Sequence, residues 1–223
     1  QERQRSRRRR ARRRARKAQA DLPGSTEVKA TLEECYAIEE SLGRGSYSSV
    51  SRCSHHKTGD SFALKTVLRK RAPSADQLQE EMEIMRLLSG KGSSEGLESK
   101  AHPNIVGLID IFEEASRIHL VLELCCGGEL FTALAESLAA GPLQDEVAAS
   151  LSRQMTAALQ HLHFRSIAHR DLKPENFMLE ERLGTEGLGA AKLKMIDFGL
   201  SRRCPPGQFM TTLACTVNYV APE

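Results

Sequence analysis

With 223 residues the chain can close one large domain, or two small lobes, around a real hydrophobic core. Its six cysteines form no CxxC pair, which argues against a disulfide scaffold and for a reducing cytosolic or nuclear compartment; no apolar run reaches the length of a transmembrane helix. The formal net charge of +3 conceals an asymmetry: residues 1–17 carry ten Arg and Lys17 against Glu2, a balance of +10, which leaves −7 for the remainder.

Self-repulsion and the scarcity of apolar residues predict disorder for residues 1 to about 25 in isolation. Such an arm suits a solvated tail, a nuclear localisation signal, or contact with nucleic acid or an acidic membrane through residues 3–17. "DLPGST" reads as linker, so residues 1–35 are assigned to arm and linker. A first residue of Gln rather than Met suggests a piece of a longer chain.

From Tyr36 onward, short apolar runs separated by turn residues predict five strands: "YAIEESL", "SSVSRCS", "SFALKTVL", "NIVGLIDIF" and "IHLVLEL". One helix interrupts them, opening at Ser74 with a capping box "SADQ" and running through "LQEEMEIMRLL". After Gly127 the pattern turns helical: Val147, Leu151, Met155, Ala158 and Leu162 recur at helix spacing behind Asp145 and Glu146. Residues 89–101 and 181–191, both Gly-rich, read as surface insertions.

The chemistry begins with "LGRGSYSSV". Gly43 and Gly45 allow backbone N–H groups to approach a polyphosphate, and Val50 supplies an apolar lid, although taken alone such a stretch is more commonly a Gly-rich hairpin turn. Alternation in "FALKTVL" puts Ala63, Lys65 and Val67 on one face, so Lys65 needs an anion. Leu78, Met82 and Met85 define an apolar stripe on the helix with Glu81 inside it, while Glu80 and Glu83 fall outside as solvated charges. Glu81 is the expected partner of Lys65.

In "HRDLKPENFM", Asp171 can accept or orient the proton of an incoming hydroxyl, Lys173 can neutralise a transferring phosphoryl group, and Asn176 offers an oxygen to a metal. Asp197 of "MIDFGLS" adds a second hard ligand suited to Mg²⁺.

The ordered set of Gly-rich loop, "FALK", Glu81, "HRDLKPEN", "DFG" and "APE" resembles the eukaryotic protein kinases, from about Tyr36 to Glu223. The resemblance implies an α+β, bilobal fold: an N-lobe (36–123) with a five-stranded antiparallel sheet and one helix, a hinge (124–128), and a partial, mainly helical C-lobe (129–223). It also implies ATP and Mg²⁺ as cofactors. Lys65 would hold the ATP phosphates, Asp171 would be the catalytic aspartate, and Asn176 and Asp197 would bind the metal. Leu42, Gly43, Gly45, Val50, Ala63 and Met178 would surround the nucleotide. Leu122 would be the gatekeeper, and the backbone of Glu123 and Cys125 would bond adenine. Met85, Leu108, His169 and Phe198 would form a hydrophobic spine.

Phrases such as "HPNIVGL" and "GGELF" look most like the calcium/calmodulin-dependent group, within it the calcium-dependent kinases of plants and protists. That implies Ser/Thr substrates with basic residues before the target, held by Glu129 and Glu175. Calcium control would then be expected, though no EF-hand loop occurs in these residues. Arg170 and Arg202 would bind a phosphate on Thr212. Ser48 in place of the loop's third glycine and Cys215 before Thr216 depart from the pattern. The family continues past "APE", so the isolated chain is expected to show little activity; a non-catalytic scaffold role, associated with nucleic acid through the arm, is the alternative.

Overall fold

The structure is a computed structural model and describes residues 30–45, 47–72, 74–90, 101–210 and 216–219. The chain divides into residues 1–31, of which Ala30 and Thr31 are described, and a unit spanning 32–223. Leu32–Cys35, the end of the segment expected to be arm and linker, form a helical turn, α1, and Leu32 is buried.

Five strands follow in one antiparallel sheet: β1 (Tyr36–Arg44), β2 (Ser48–His55), β3 (Ser61–Leu68), β4 (Leu108–Glu113) and β5 (Arg117–Glu123), in the order β1-β2-β3-β5-β4. Alternation decides which side chain goes where. Val67 and Ala63 join the main core beneath helix α2 (Ala75–Leu88), with Leu78, Met82, Ile84, Met85 and Leu88. Leu64 and Phe62 face the other way, into a smaller cluster with Leu32, Tyr36, Cys53 and Val121. In that cluster the Tyr36 ring meets Phe62 and Phe112 edge-on at 5.9 Å, and its hydroxyl donates to Asp110. Burial on both faces explains why β5, buried from Ile118 to Leu122, is apolar beyond a simple alternation.

The run "NIVGLIDIF" does not form one strand. The Val106 N–H donates to the Met195 carbonyl and the Met195 N–H to the Asn104 carbonyl, both at 2.9 Å, so residues 104–106 pair with the C-lobe. Regular pairing with β5 starts only at Leu108. The run therefore stitches the two lobes together, with its backbone groups shared between two partners.

In the C-lobe, α3 (Leu130–Ala140) and α4 (Asp145–Phe164) pack beside three short strand pieces: β6 (Ile167–Ala168), β7 (Phe177–Leu179) and β8 (Leu193–Met195). α4 buries Leu151, Ala158 and Leu162, the stripe its spacing predicts. Gln154 on this helix accepts from the Leu193 N–H and from Asn104, and donates to the Ala191 carbonyl. The segment 181–191, expected to be surface insertion, contains a 3₁₀ turn at Gly187–Ala190 whose Leu188 is buried in the main core. One anchored leucine fixes an otherwise exposed loop.

The hinge is tied to β7. Cys126 and Gly127 donate their N–H groups to the carbonyls of Glu180 and Leu179 at 3.1 and 3.0 Å, and Leu179 returns a bond to Gly128 at 2.9 Å. A Cβ on Gly127 would lie 2.2 Å from the Glu181 carbonyl oxygen, so only glycine permits this approach. Among the described residues no helix is long and apolar enough to cross a membrane.

Candidate active site

The site lies where β3, α2 and the loops after β6 and β8 meet. Strand β3 carries Lys65 opposite Val50 and Leu120, with Ala63 opposite Leu122. Helix α2 starts because the Ser74 hydroxyl accepts the Gln77 N–H at 3.0 Å. Among the described residues the Ser74 N–H makes no reciprocal capping-box bond to the Gln77 oxygen, and the Gln77 amide group donates to the Gly199 carbonyl at 2.7 Å.

One turn onward Glu81, 5% exposed at its side chain, meets Lys65, 12% exposed, at 2.7 Å. Asp197 approaches the same ammonium at 3.2 Å. Burial alone would lower the Lys65 pKa, but Glu81 and then Asp197 outweigh it and hold the ammonium well above its ordinary range. Lys65 in turn holds the Asp197 carboxyl below its ordinary value, and the Gly199 N–H, 3.1 Å from Oδ1, adds to this.

The second cluster is built from loops. Asp171 Oδ1 accepts the Thr216 hydroxyl at 2.5 Å, and Oδ2 accepts Lys173 at 2.9 Å and the Asn176 amide at 3.0 Å. Lys173 also donates to the Thr216 oxygen at 2.8 Å. Burial opposes ionisation of Asp171, yet the bonds from Thr216, Lys173 and Asn176 lower its pKa. The Asn176 amide also donates to the Asp171 carbonyl at 2.7 Å, which points its own Oδ1 away from that carboxylate.

His169 is buried and serves packing, with its ring 5.6 Å from Phe198 edge-on. Burial lowers its pKa, which favours the neutral ring. Met85, Leu108 and Phe198 belong to the same core. Arg170 adopts φ 66°, the strained left-handed conformation, and its Nε donates to the Leu200 carbonyl at 2.7 Å.

The remaining expected residues are arranged as follows. Leu42 is exposed, Val50, Ala63, Cys125 and Met178 are half-buried, and Leu122 is buried. Gly43 sits opposite Val50 across the loop, while the Gly45 N–H donates to the Ser48 carbonyl at 2.8 Å. A Cβ on Gly45 would come within 3.2 Å of the Ser48 hydroxyl, so the loop turns tightly around its substituted third position. The Glu123 N–H donates to the Gly107 carbonyl at 2.8 Å, and its carboxylate pairs with Lys194 at 3.0 Å. Glu129 is exposed at the start of α3, and Glu175 accepts the Tyr219 hydroxyl, 3.1 Å from both its oxygens. Thr212 and Cys215, like the basic arm, lie outside the described residues.

One expectation is overturned. Glu80 is not a solvated charge: it pairs with Arg202 at 3.1 Å and accepts the Arg203 N–H at 2.8 Å. Helical phase placed it off the apolar stripe correctly, but the strand Arg202–Arg203 (β9) covers that flank. Tyr47, at the tip of the Gly-rich loop, was also missed. A Cβ on Gly199 would lie 3.1 Å from its hydroxyl and 3.4 Å from Asp197 Oδ1, so the glycine of "DFG" lets the loop tip rest against the acidic cluster. Only the aromatic ring at a loop tip could have signalled this.

Comparison with known proteins agrees with the geometry. Calcium-dependent protein kinase 10 of Oryza sativa subsp. japonica is 35% identical over 196 residues, covering 86% of this chain and 30% of the relative. Calcium-dependent protein kinase 20 of the same organism is 37% identical over 191 residues, covering 84% and 31%. Calcium-dependent protein kinase 14 of Arabidopsis thaliana is 35% identical over 195 residues, covering 86% and 33%. The chain spans about a third of the length of these curated relatives. The family described as "Protein kinase domain" matches residues 36–223, the span that holds both clusters, and with the antiparallel N-lobe sheet over a helical C-lobe this match makes the chain a member of that family.

Proposed function

We propose that the complete protein transfers the γ-phosphoryl group of ATP to serine or threonine hydroxyls of protein substrates. The observation that carries this reading is the convergence on one ammonium, Lys65, of Glu81 at 2.7 Å and Asp197 at 3.2 Å. An isolated buried cation would be costly, and here two anions keep it charged and aimed at the place where phosphates would lie.

Lys65 binds and orients the phosphates, and Glu81 fixes its direction. The Glu123 N–H is already engaged by Gly107, so adenine would use the Glu123 carbonyl and the backbone of Cys125. Asn176 Oδ1 and the second oxygen of Asp197 suit Mg²⁺, which keeps much of its shell as water and phosphate oxygens and needs few protein ligands. Bound there, the ion would neutralise phosphate charge.

Asp171 orients the substrate hydroxyl and takes its proton as the hydroxyl oxygen bonds to the γ-phosphorus. The bond from that phosphorus to the β–γ bridging oxygen breaks, and ADP leaves with the electron pair. Lys173 offsets the charge on the moving group. Thr216 bridges Asp171 and Lys173, which keeps both directed at one point.

A preference for arginine before the target rests on Glu129 and Glu175, whose elements, α3 and the turn Pro174–Asn176, pack together. The Tyr219 hydroxyl occupies part of the Glu175 carboxylate, and a guanidinium would use the remaining lone pairs. The names of the relatives add calcium control to this proposal.

Phosphotransfer by the complete protein should be measured with a serine peptide bearing Arg three residues before the target and with its Ala counterpart, with and without calcium. Turnover is expected only with ATP and Mg²⁺ present, and kcat/KM is expected to favour the Arg peptide about tenfold or more. Absence of turnover under every condition would refute the kinase reading; equal peptides would refute the basic preference alone.

A further inference from the structure

Helix α2 does more than present Glu81. Gln77, one turn earlier on the same face, donates to the Gly199 carbonyl at 2.7 Å. Glu80 uses both oxygens on β9: Oε1 accepts the Arg203 N–H at 2.8 Å and Oε2 pairs with Arg202 Nε at 3.1 Å. Side chains of Glu80 and Arg202 are each 26% exposed, so this pair is better shielded than a surface ion pair. Arg170 lies close enough to Arg202 for the two cations to repel, and Glu80 is the carboxylate that faces both.

All three contacts join α2 to the segment directly after Asp197. The same helix carries Glu81, so a tilt of α2 away from β9 would also draw Glu81 from Lys65. The corner formed by Arg170 and Arg202 is where a phosphate on the activation segment would bring negative charge. Glu80 already brings it.

We propose that Gln77 and Glu80 are positioning residues for phosphoryl transfer, a polar latch that holds α2 against residues 199–203 and keeps Glu81 on Lys65 without an activation-segment phosphate. The role of the latch in turnover rests on the kinase reading above.

The test uses the complete protein and the variants E80Q, E80R, R202E, the double variant E80R/R202E, and T212A. R202E and E80R are each expected to lower kcat/KM for ATP about tenfold, mainly through KM, because a misplaced Glu81 weakens phosphate binding before it alters the attacking group. E80Q keeps an acceptor for the Arg203 N–H and is expected to lose about threefold. The double variant restores the ion pair in reverse and is expected to recover to within about threefold of the parent. T212A is expected to stay within about twofold of the parent, because the latch holds α2 without a phosphate at that position. Additive losses in the double variant, or a tenfold loss in T212A, would overturn the proposal.

Hydrogen exchange of the amides of residues 75–88 and ADP affinity by calorimetry are read on the same set. These measurements need no turnover. Faster exchange in R202E that reverts in the double variant supports the latch even if the kinase reading fails, and unchanged exchange refutes the latch even if the protein is an active kinase.

Discussion

Two charged clusters face each other in this molecule and are built in opposite ways. Lys65 and Glu81 stand on a strand and a helix, and their 2.7 Å contact follows from two regular periodicities meeting across a core. Asp171, Lys173 and Asn176 stand on a loop and a single 3₁₀ turn, and they and Thr216 are joined by five short polar contacts beside a left-handed residue at Arg170. The first cluster is held by packing around it; the second is held by its own polar bonds. In the proposed function proton transfer falls to the second, where hydrogen bonds tune a carboxylate, whereas the first would supply a fixed charge.

The sharpest way to test that division is to disable each cluster in turn. Asp171→Asn removes the proposed proton acceptor but keeps much of the bonding, so kcat in the complete protein is expected to fall about 10²- to 10⁴-fold with KM for ATP nearly constant. Steady-state kinetics check this, and a shift confined to KM would break the assignment. Glu81→Gln leaves Lys65 with Asp197 alone, and kcat/KM for ATP is expected to fall about 10- to 100-fold with most of the change in KM. Equal kinetic signatures for the two variants would erase the distinction between the clusters.

Smaller effects probe the frame around them. Gly127→Ala places a methyl group against the Glu181 carbonyl and is expected to cost about 1–3 kcal/mol by urea denaturation, since backbone cannot yield as a side chain can. Acid should loosen both lobes through their buried histidines, His119 on β5 among them, before it discharges the site carboxylates. His102, His161 and His169 are all depressed from 6.5 in the folded state, chiefly by burial, His161 to about 4. The unfolded chain therefore binds more protons below pH 6.5, and the stability these histidines contribute in neutral form is lost as pH falls from 6.5 toward 4. Asp171 and Asp197, depressed below 3.8, contribute stability that persists above 3.8 and is lost only as pH falls through their lower folded values. Urea midpoints from pH 7 to 4 check the order; a flat profile over this range would contradict the burial of the histidines. The smallest expected change is Tyr36→Phe, which removes the hydroxyl bond to Asp110 on the far side of the sheet and should cost about 0.5–1.5 kcal/mol with kinetics unchanged.

Much of this contrast was legible in the sequence because regular elements repeat. The alternation of "FALKTVL" and the helical phase of Leu78, Met82 and Met85 were enough to pair Lys65 with Glu81. The same helical phase set Glu80 outside the stripe, but phase describes one element at a time and could not register that β9 covers that flank. "NIVGLIDIF" failed as a single strand for a related reason: a run of apolar residues does not record that its first part bonds to β8 and its second to β5. Leu188 likewise looked like part of a polar insertion until the fold put a core beneath it.

The sequence by itself determined most of the elements, the family and the identity of the charged groups, since these depend on local periodicity and on motifs whose spacing is written along the chain. The tertiary structure alone decided which partner each charge takes: Gln77 reaching Gly199, Glu80 holding Arg202, Thr216 bridging Asp171 and Lys173. Such contacts join residues far apart in the chain, and their strength varies steeply with distance and burial, two quantities that exist only once the chain has folded.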